Sequence, residues 1–80
     1  MSETKRIVGT IGMGVEKTVQ VLERIHEDML VSCVQHDEMP WGLETRRLAE
    51  RERPWEVLKK VKEAGEENPE ARFNLRVELI

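Results

Sequence analysis

The residues of this chain that could do chemistry fall into two groups. Gly12 and Gly14 flank Met13 in a glycine turn that ends a short apolar run. Such a turn exposes backbone amides at the start of a helix, where they can bind an anion and let a ligand approach closely. The second group contains metal-capable or nucleophilic side chains in one short stretch of the chain: His26, Cys33, His36, Asp37 and Glu38.

The second group predicts neither a metal site nor a catalytic site. Cys33 and His36 lie an odd number of positions apart on a predicted strand, so their side chains should point to opposite faces. The paired spacings typical of zinc ligands, C-x-x-C and H-x-x-x-H, are absent. A nucleophilic Cys–His pair is excluded by the same facing argument. We therefore expect no metal, no cofactor and no enzymatic activity.

The glycine turn partly matches the dinucleotide fingerprint G-x-G-x-x-G. Lys17 replaces the third glycine, although Asp37 follows about twenty residues later, where that fingerprint places an acid. A chain of 80 residues is also too short for the full two-halved fold. A simple βα turn and a small-metabolite site both remain open. The candidate ligand-binding residues are Gly12, Met13, Gly14, Val15 and Glu16.

These residues need a scaffold, and the spacing of apolar residues predicts six elements. Apolar residues from Val15 onward recur at helical spacing, whereas the segment FNLRVEL alternates apolar and polar residues as a half-buried strand does. Pro54 suits the first position of a second helix, and Gly65 is predicted to close that helix. The predicted order is strand 7–11, a helix from Val15, strand 29–34, strand 43–50, helix 54–65 and strand 73–79.

This β-α-β-β-α-β order predicts a ferredoxin-like split βαβ fold in one domain over residues 1–80. Two helices would cover one face of a four-stranded antiparallel sheet, with the last strand at an edge beside the first. Residues 43–53 are ambiguous between strand and helix. A helix there would give a parallel half-Rossmann unit, but parallel strands are continuously apolar and the last strand is not.

The segment IVGTIGMG, followed by an apolar-striped helix, resembles the opening of ACT domains, above all those of aspartate kinases. These are regulatory modules with the ferredoxin-like fold, and they commonly pair side by side. The resemblance implies an amino-acid pocket near the first strand–helix turn. Gly12, Met13 and Gly14 would line it, with Val15 and Glu16 at the helix start. The chain departs from the family at Val15-Glu16-Lys17, where Pro-Gly or a similar pair is usual, and at Glu27-Asp28.

Two further residues are candidates for contacts with a partner. Trp41 lies in a turn between Pro40 and Gly42, where an aromatic side chain either caps the core or marks a contact surface. Arg76 is on the outward face of the last strand. A long edge strand and a thin core both favour self-association. We expect a homo-oligomer formed through the C-terminal strand or the open sheet face.

Composition narrows the function further. The net charge is −3, and the basic residues of the middle segment alternate with glutamates, which is typical of a solvated face. RNA-binding sheets need outward aromatics that the last strand lacks. One cysteine and no long apolar segment predict a cytoplasmic protein that contacts neither nucleic acid nor membrane. The expected function is a small non-catalytic binding or regulatory module for a metabolite, or alternatively a protein–protein interaction factor without a ligand.

Overall fold

The computed structural model describes residues 12–79 and the backbone of one short N-terminal strand. The elements are β1 (Arg6–Val8), α1 (Val15–Arg24), β2 (Leu30–Met39), β3 (Gly42–Glu52), α2 (Pro54–Glu67) and β4 (Arg72–Glu78). The predicted extension of the first strand through residues 9–11 lies outside the described residues. All neighbouring strands are antiparallel, and the fold class is α+β.

The ferredoxin-like prediction is wrong because the strands pair in a different order. The three long strands form an antiparallel sheet in the order β3-β2-β4, and the three residues of β1 pair with the other side of β4. A ferredoxin-like sheet would place the last strand at an edge, whereas β4 lies inside this sheet, between β1 and β2. Burial explains the difference: Phe73, Leu75 and Val77 are the inward side chains of β4, and all are almost fully buried. The highly charged β3 forms an edge instead.

The segment 43–53, ambiguous in the sequence, is not helical: its residues 43–52 belong to the strand β3. β3 pairs along its length with β2, from Met39 opposite Gly42 to Val31 opposite Glu52. The strand ends where Arg53 adopts an extended conformation before Pro54, which begins α2. A residue before proline avoids helical angles, so the proline separates the two elements as the sequence predicts.

Helix α2 continues past its predicted end at Gly65 and stops at Glu67. Gly65 therefore lies inside the helix, and its role is packing. A Cβ at this position would lie 2.7 Å from Cγ1 and 3.2 Å from Cγ2 of Val15 in α1. The missing side chain lets the two helices approach closely on one face of the sheet. Most of the core lies between these helices and the inner side chains of β2 and β4.

The β2–β3 hairpin extends beyond the rest of the sheet. β4 pairs with β2 only as far as His36, so residues 37–45, here called the arm, form a two-stranded projection. The molecule is 46 Å long but only 22 and 17 Å across. Gly42 has a φ of +138° at the arm's tip, a conformation that favours glycine. Trp41, beside it, is 70% exposed and does not cap the core.

Candidate functional site

A cleft of about 690 Å³ lies where the glycine turn, the α2–β4 loop and the base of the arm meet. It opens on the face of the sheet that points away from the helices, here called the open face. The alternation of buried Cys33 and Gln35 with His36, and of buried Phe73 with Asn74, defines that face. The side chains that line the cleft from the strands are His36, Glu38, Leu43, Arg72 and Asn74.

Hydrogen bonds to β4 hold the glycine turn at the edge of this cleft. The backbone amide of Met13 donates to the carbonyl oxygen of Phe73 at 3.0 Å, and the amide of Phe73 donates back at 2.7 Å. The amide of Gly12 donates to Oδ1 of Asn74 at 2.7 Å, and Nη1 of Arg72 donates to the carbonyl oxygen of Gly12 at 2.7 Å. Gly12 has a φ of +73°, so the turn requires a glycine there. The turn is therefore part of the sheet's framework.

Gly14 has a different role, because its conformation does not require glycine. Its φ is −71°, and a Cβ built there meets no described atom within 4 Å. Gly14 is the N-cap of α1, and no described side chain caps the helix. Its carbonyl oxygen accepts a hydrogen bond from Oγ1 of Thr18 at 2.6 Å. The first amides of α1 thus begin at the cleft, at the positive end of the helix dipole.

Only part of the predicted ligand-binding set reaches the cleft. Gly12 and Gly14 line it. Met13 is 7% exposed and belongs to the core, and Val15 packs against that core. Glu16 is exposed on the first turn of α1 and does not line the cleft.

The sequence analysis missed most of the polar groups of the cleft. Nδ1 of His36 shares a hydrogen bond of 3.1 Å with Oγ1 of Thr45, while its Nε2 is buried and has no partner among the described residues. Arg72 and Asn74 belong to the same outward face as Arg76. Alternation along β4 predicts that shared face, but nothing in the sequence places the start of β4 beside the glycine turn.

The second group of candidate residues from the sequence, His26, Cys33, His36, Asp37 and Glu38, does not come together in one site. Cys33 is fully buried on the helix side of β2, so it and His36 face opposite ways, as predicted. Burial raises the pKa of the Cys33 thiol to about 12, which keeps it neutral and unreactive. Nδ1 of His26 lies 3.5 Å from Oδ2 of its exposed neighbour Asp28. Across residues 12–79, no three His, Cys, Asp or Glu side chains are grouped so that they could hold a metal ion.

The two predicted contact residues are both accessible. The indole Nε1 of Trp41 donates to Oε2 of Glu44 at 2.9 Å, which orients the ring at the tip of the arm. Arg76 lies on the open face, with Nε 3.9 Å from Oε2 of Glu78. The residues are on different parts of the molecule, one on the arm and the other on the sheet.

Comparison with known proteins adds no relative. No family model matches the chain, and neither curated proteins nor solved structures include a significant match. The resemblance to ACT domains therefore stays a prediction. Among the described residues, neither helix has the length and apolar character needed to cross a membrane.

Proposed function

We propose that this protein is a small non-catalytic binding module that holds a polar metabolite in the cleft beside the glycine turn. The observation that carries this proposal is the position of Gly14, an uncapped helix start that opens into the cleft. Neither backbone angle nor packing among the described residues requires glycine there. A residue without a side chain at this position lets a ligand reach the first amides of α1.

The lining of the cleft supports a ligand with both acidic and hydrogen-bonding groups. Arg72 and the start of α1 supply donors and positive potential at one side. Glu38 and Glu70 supply carboxylates elsewhere on the lining, where they would bind a cationic or donor group. A cleft of about 690 Å³ is within the range of small-molecule sites. A small zwitterionic or polyfunctional metabolite fits this distribution of charge.

A thermal-shift screen of amino acids, nucleotides and vitamins tests the proposal. A ligand at about 100 times its Kd stabilises the native state by roughly 2.7 kcal/mol, which gives a clear rise in Tm. Amide chemical shifts in a labelled sample should then change at Gly12, Gly14 and Arg72, which together surround the cleft.

Gly14→Val should abolish binding while the variant stays folded, because an added Cβ meets no described atom within 4 Å. Replacing glycine at the N-cap of α1 should lower the free energy of unfolding by no more than about 1 kcal/mol. Glu16→Val is the matched control, since it adds a valine two residues further along the chain, outside the lining of the cleft, and should bind normally. A panel without a hit at millimolar ligand, or a Gly14→Val variant that binds as well as the native protein, would contradict the proposal.

The second candidate function is a protein–protein interaction factor. The exposed Trp41 and Leu43 favour it, because large apolar side chains that project from a small domain are typical of contact surfaces. Leu43 also lines the cleft but Trp41 does not, so Trp41→Ala should leave ligand binding at the cleft unchanged.

A further inference from the structure

We propose that the ligand of the cleft is the C-terminal end of an extended peptide, which pairs with the free edge of β2 at Glu38. This ligand class rests on the proposed function, because the peptide would occupy the same cleft. The chemistry recognised is a backbone amide followed by a free carboxylate. A short oligopeptide and the C-terminus of a protein both present these groups.

The backbone of Glu38 faces the side of β2 that β4 leaves uncovered. In an antiparallel sheet, successive residues of a strand turn their backbone groups to opposite neighbours. The amide and the carbonyl oxygen of Phe73 both bond with Met13, so those of Arg72 face β2 and pair with His36. The backbone groups of His36 therefore face β4, and those of Glu38, two residues further on, face the same way. β4 begins at Arg72 and does not extend opposite Glu38.

The loop before β4 turns away from this position. If the register of β2 and β4 continued, the residue opposite Glu38 would be Glu70. The amide of Glu70 instead donates to Oδ1 of Asn68 at 3.1 Å, and the amide of Ala71 donates to the carbonyl oxygen of Asn68 at 3.0 Å. Glu38 and Glu70 both line the cleft. The described loops make no backbone hydrogen bond to Glu38, so its amide and carbonyl oxygen are available to a ligand.

The charges of the cleft set the direction of a peptide that pairs at this point. An antiparallel segment opposite Glu38 would run as β4 does, with its C-terminal end toward Arg72 and the glycine turn. The bond from Nη1 of Arg72 to the carbonyl oxygen of Gly12 holds the guanidinium at the cleft, where α1 also begins. Both groups attract a carboxylate. A parallel segment would instead bring its positive amino terminus to these groups, which charge repulsion opposes.

The side chain of Glu38 predicts a preference for a basic last residue in the peptide. Side chains of directly opposite residues lie on the same face of a sheet. Glu38 follows His36 by two residues, so its side chain is on the open face. The side chain of the ligand residue opposite it would lie beside this carboxylate. A lysine or arginine there would form an ion pair with Glu38.

Titration of the full chain with the tripeptide Ala-Ala-Lys, followed by calorimetry and NMR, tests the proposal. We expect binding that shifts the amide signals of Glu38, Gly14 and Arg72. The amide of Glu38 should exchange its hydrogen more slowly once the tripeptide is bound. Three altered ligands should bind about tenfold or more weakly: the C-terminal amide of the tripeptide, the tripeptide methylated on its lysine nitrogen, and free lysine.

N-acetylated Ala-Ala-Lys distinguishes the two sources of such a chain end, since a protein C-terminus has no amine at that point. Binding as tight as that of the free tripeptide supports the proposal with a protein as the source. Weaker binding than that of the free tripeptide supports it with an oligopeptide as the source.

A proline substitution tests the strand edge in the protein itself. Glu38→Pro removes the amide that the peptide would bond. The fold should tolerate the proline, because that amide pairs with neither β3 nor β4. We expect binding about tenfold or more weaker. Glu38→Ala keeps the amide and should lose only the preference for a basic last residue.

Arg47→Pro is the matched control for a proline in the same hairpin. Arg47 lies opposite Val34 in β2, and its amide faces the outer side of β3. Arg47 does not line the cleft, so the variant should bind the tripeptide normally.

A tripeptide that does not bind at about 5 mM, or whose amidated and N-methylated forms bind equally well, would overturn the proposal. Failure of the proposed function gives a different result. A metabolite that binds equally to the native chain and to Glu38→Pro, without any binding of peptides, would reject the peptide and leave the proposed function standing. Absence of binding by both metabolites and peptides would reject both.

Discussion

The most sensitive test of the packing is the substitution Gly65→Ala in α2. In the middle of an exposed helix this change stabilises a protein by about 0.5–1 kcal/mol, because glycine has the larger conformational freedom when unfolded. Here the added methyl group would lie 2.7 Å from Cγ1 of Val15, much closer than van der Waals contact. Since Val15 belongs to the helix packed alongside, one of the two helices must shift.

Overpacking of this kind costs about 1–3 kcal/mol, which exceeds the gain in helix propensity. We therefore expect Gly65→Ala to lower the free energy of unfolding by about 1 kcal/mol, or Tm by roughly 4–8 °C for a domain of this size. In a Val15→Ala background the clashing γ carbons are gone. There the same substitution should raise stability by about 0.5–1 kcal/mol. The sign of its effect reverses because the two residues are in direct contact.

Urea unfolding followed by circular dichroism would measure the four members of this double-mutant cycle. The Val15→Ala background is the control for the general effect of replacing glycine in a helix, because the γ carbons that the new methyl group would meet are absent there. The reasoning is refuted if Gly65→Ala stabilises the native chain, or if the effect of Gly65→Ala is the same with Val15 and with alanine at position 15.

Two further predictions concern buried polar and ionisable groups. Because burial raises the pKa of Cys33 from 9.0 to about 12, the unfolded chain loses its thiol proton at a lower pH than the folded chain does. The free energy of unfolding should therefore fall above pH 9. Urea titrations should show that Cys33→Ala removes up to about 1.4 kcal/mol per pH unit of this fall. Gln35 is 2% exposed and joins Arg46 to Asp37, with its Nε2 2.9 Å from Oδ1 of Asp37. Gln35→Leu should cost about 1–3 kcal/mol by leaving those groups short of partners, and unchanged stability in urea would contradict this.

The α+β class and the type of several elements could be read from the sequence because they depend on local patterns. Helical spacing from Val15, alternation in FNLRVEL and the proline at position 54 each act over a few residues, and α1, β4 and the start of α2 formed where these patterns predict them. The end of α2 was predicted wrongly because it depends on a contact between residues far apart in the chain. Glycine is typical of a helix terminus, but Gly65 lies inside α2, where the missing side chain makes room for Val15 of α1.

The candidate site was also only partly predictable from the sequence. The glycine turn was visible in the sequence, but its neighbours in the cleft come from strands about 25 to 60 residues away. Which of them meet depends on the pairing order of the strands, and a βαββαβ sequence allows more than one order. Burial of Phe73, Leu75 and Val77 put β4 inside the sheet and so brought Arg72 and Asn74 to the turn.

The sequence alone thus determined the α+β class, the elements and the glycine turn, because short-range spacing and backbone preference specify them. Only the tertiary structure decided that β4 is interior, that Gly14 opens into a cleft and that Trp41 projects on an arm. Those features depend on which strands contribute to the apolar core, and that is set by contacts between residues far apart in the chain.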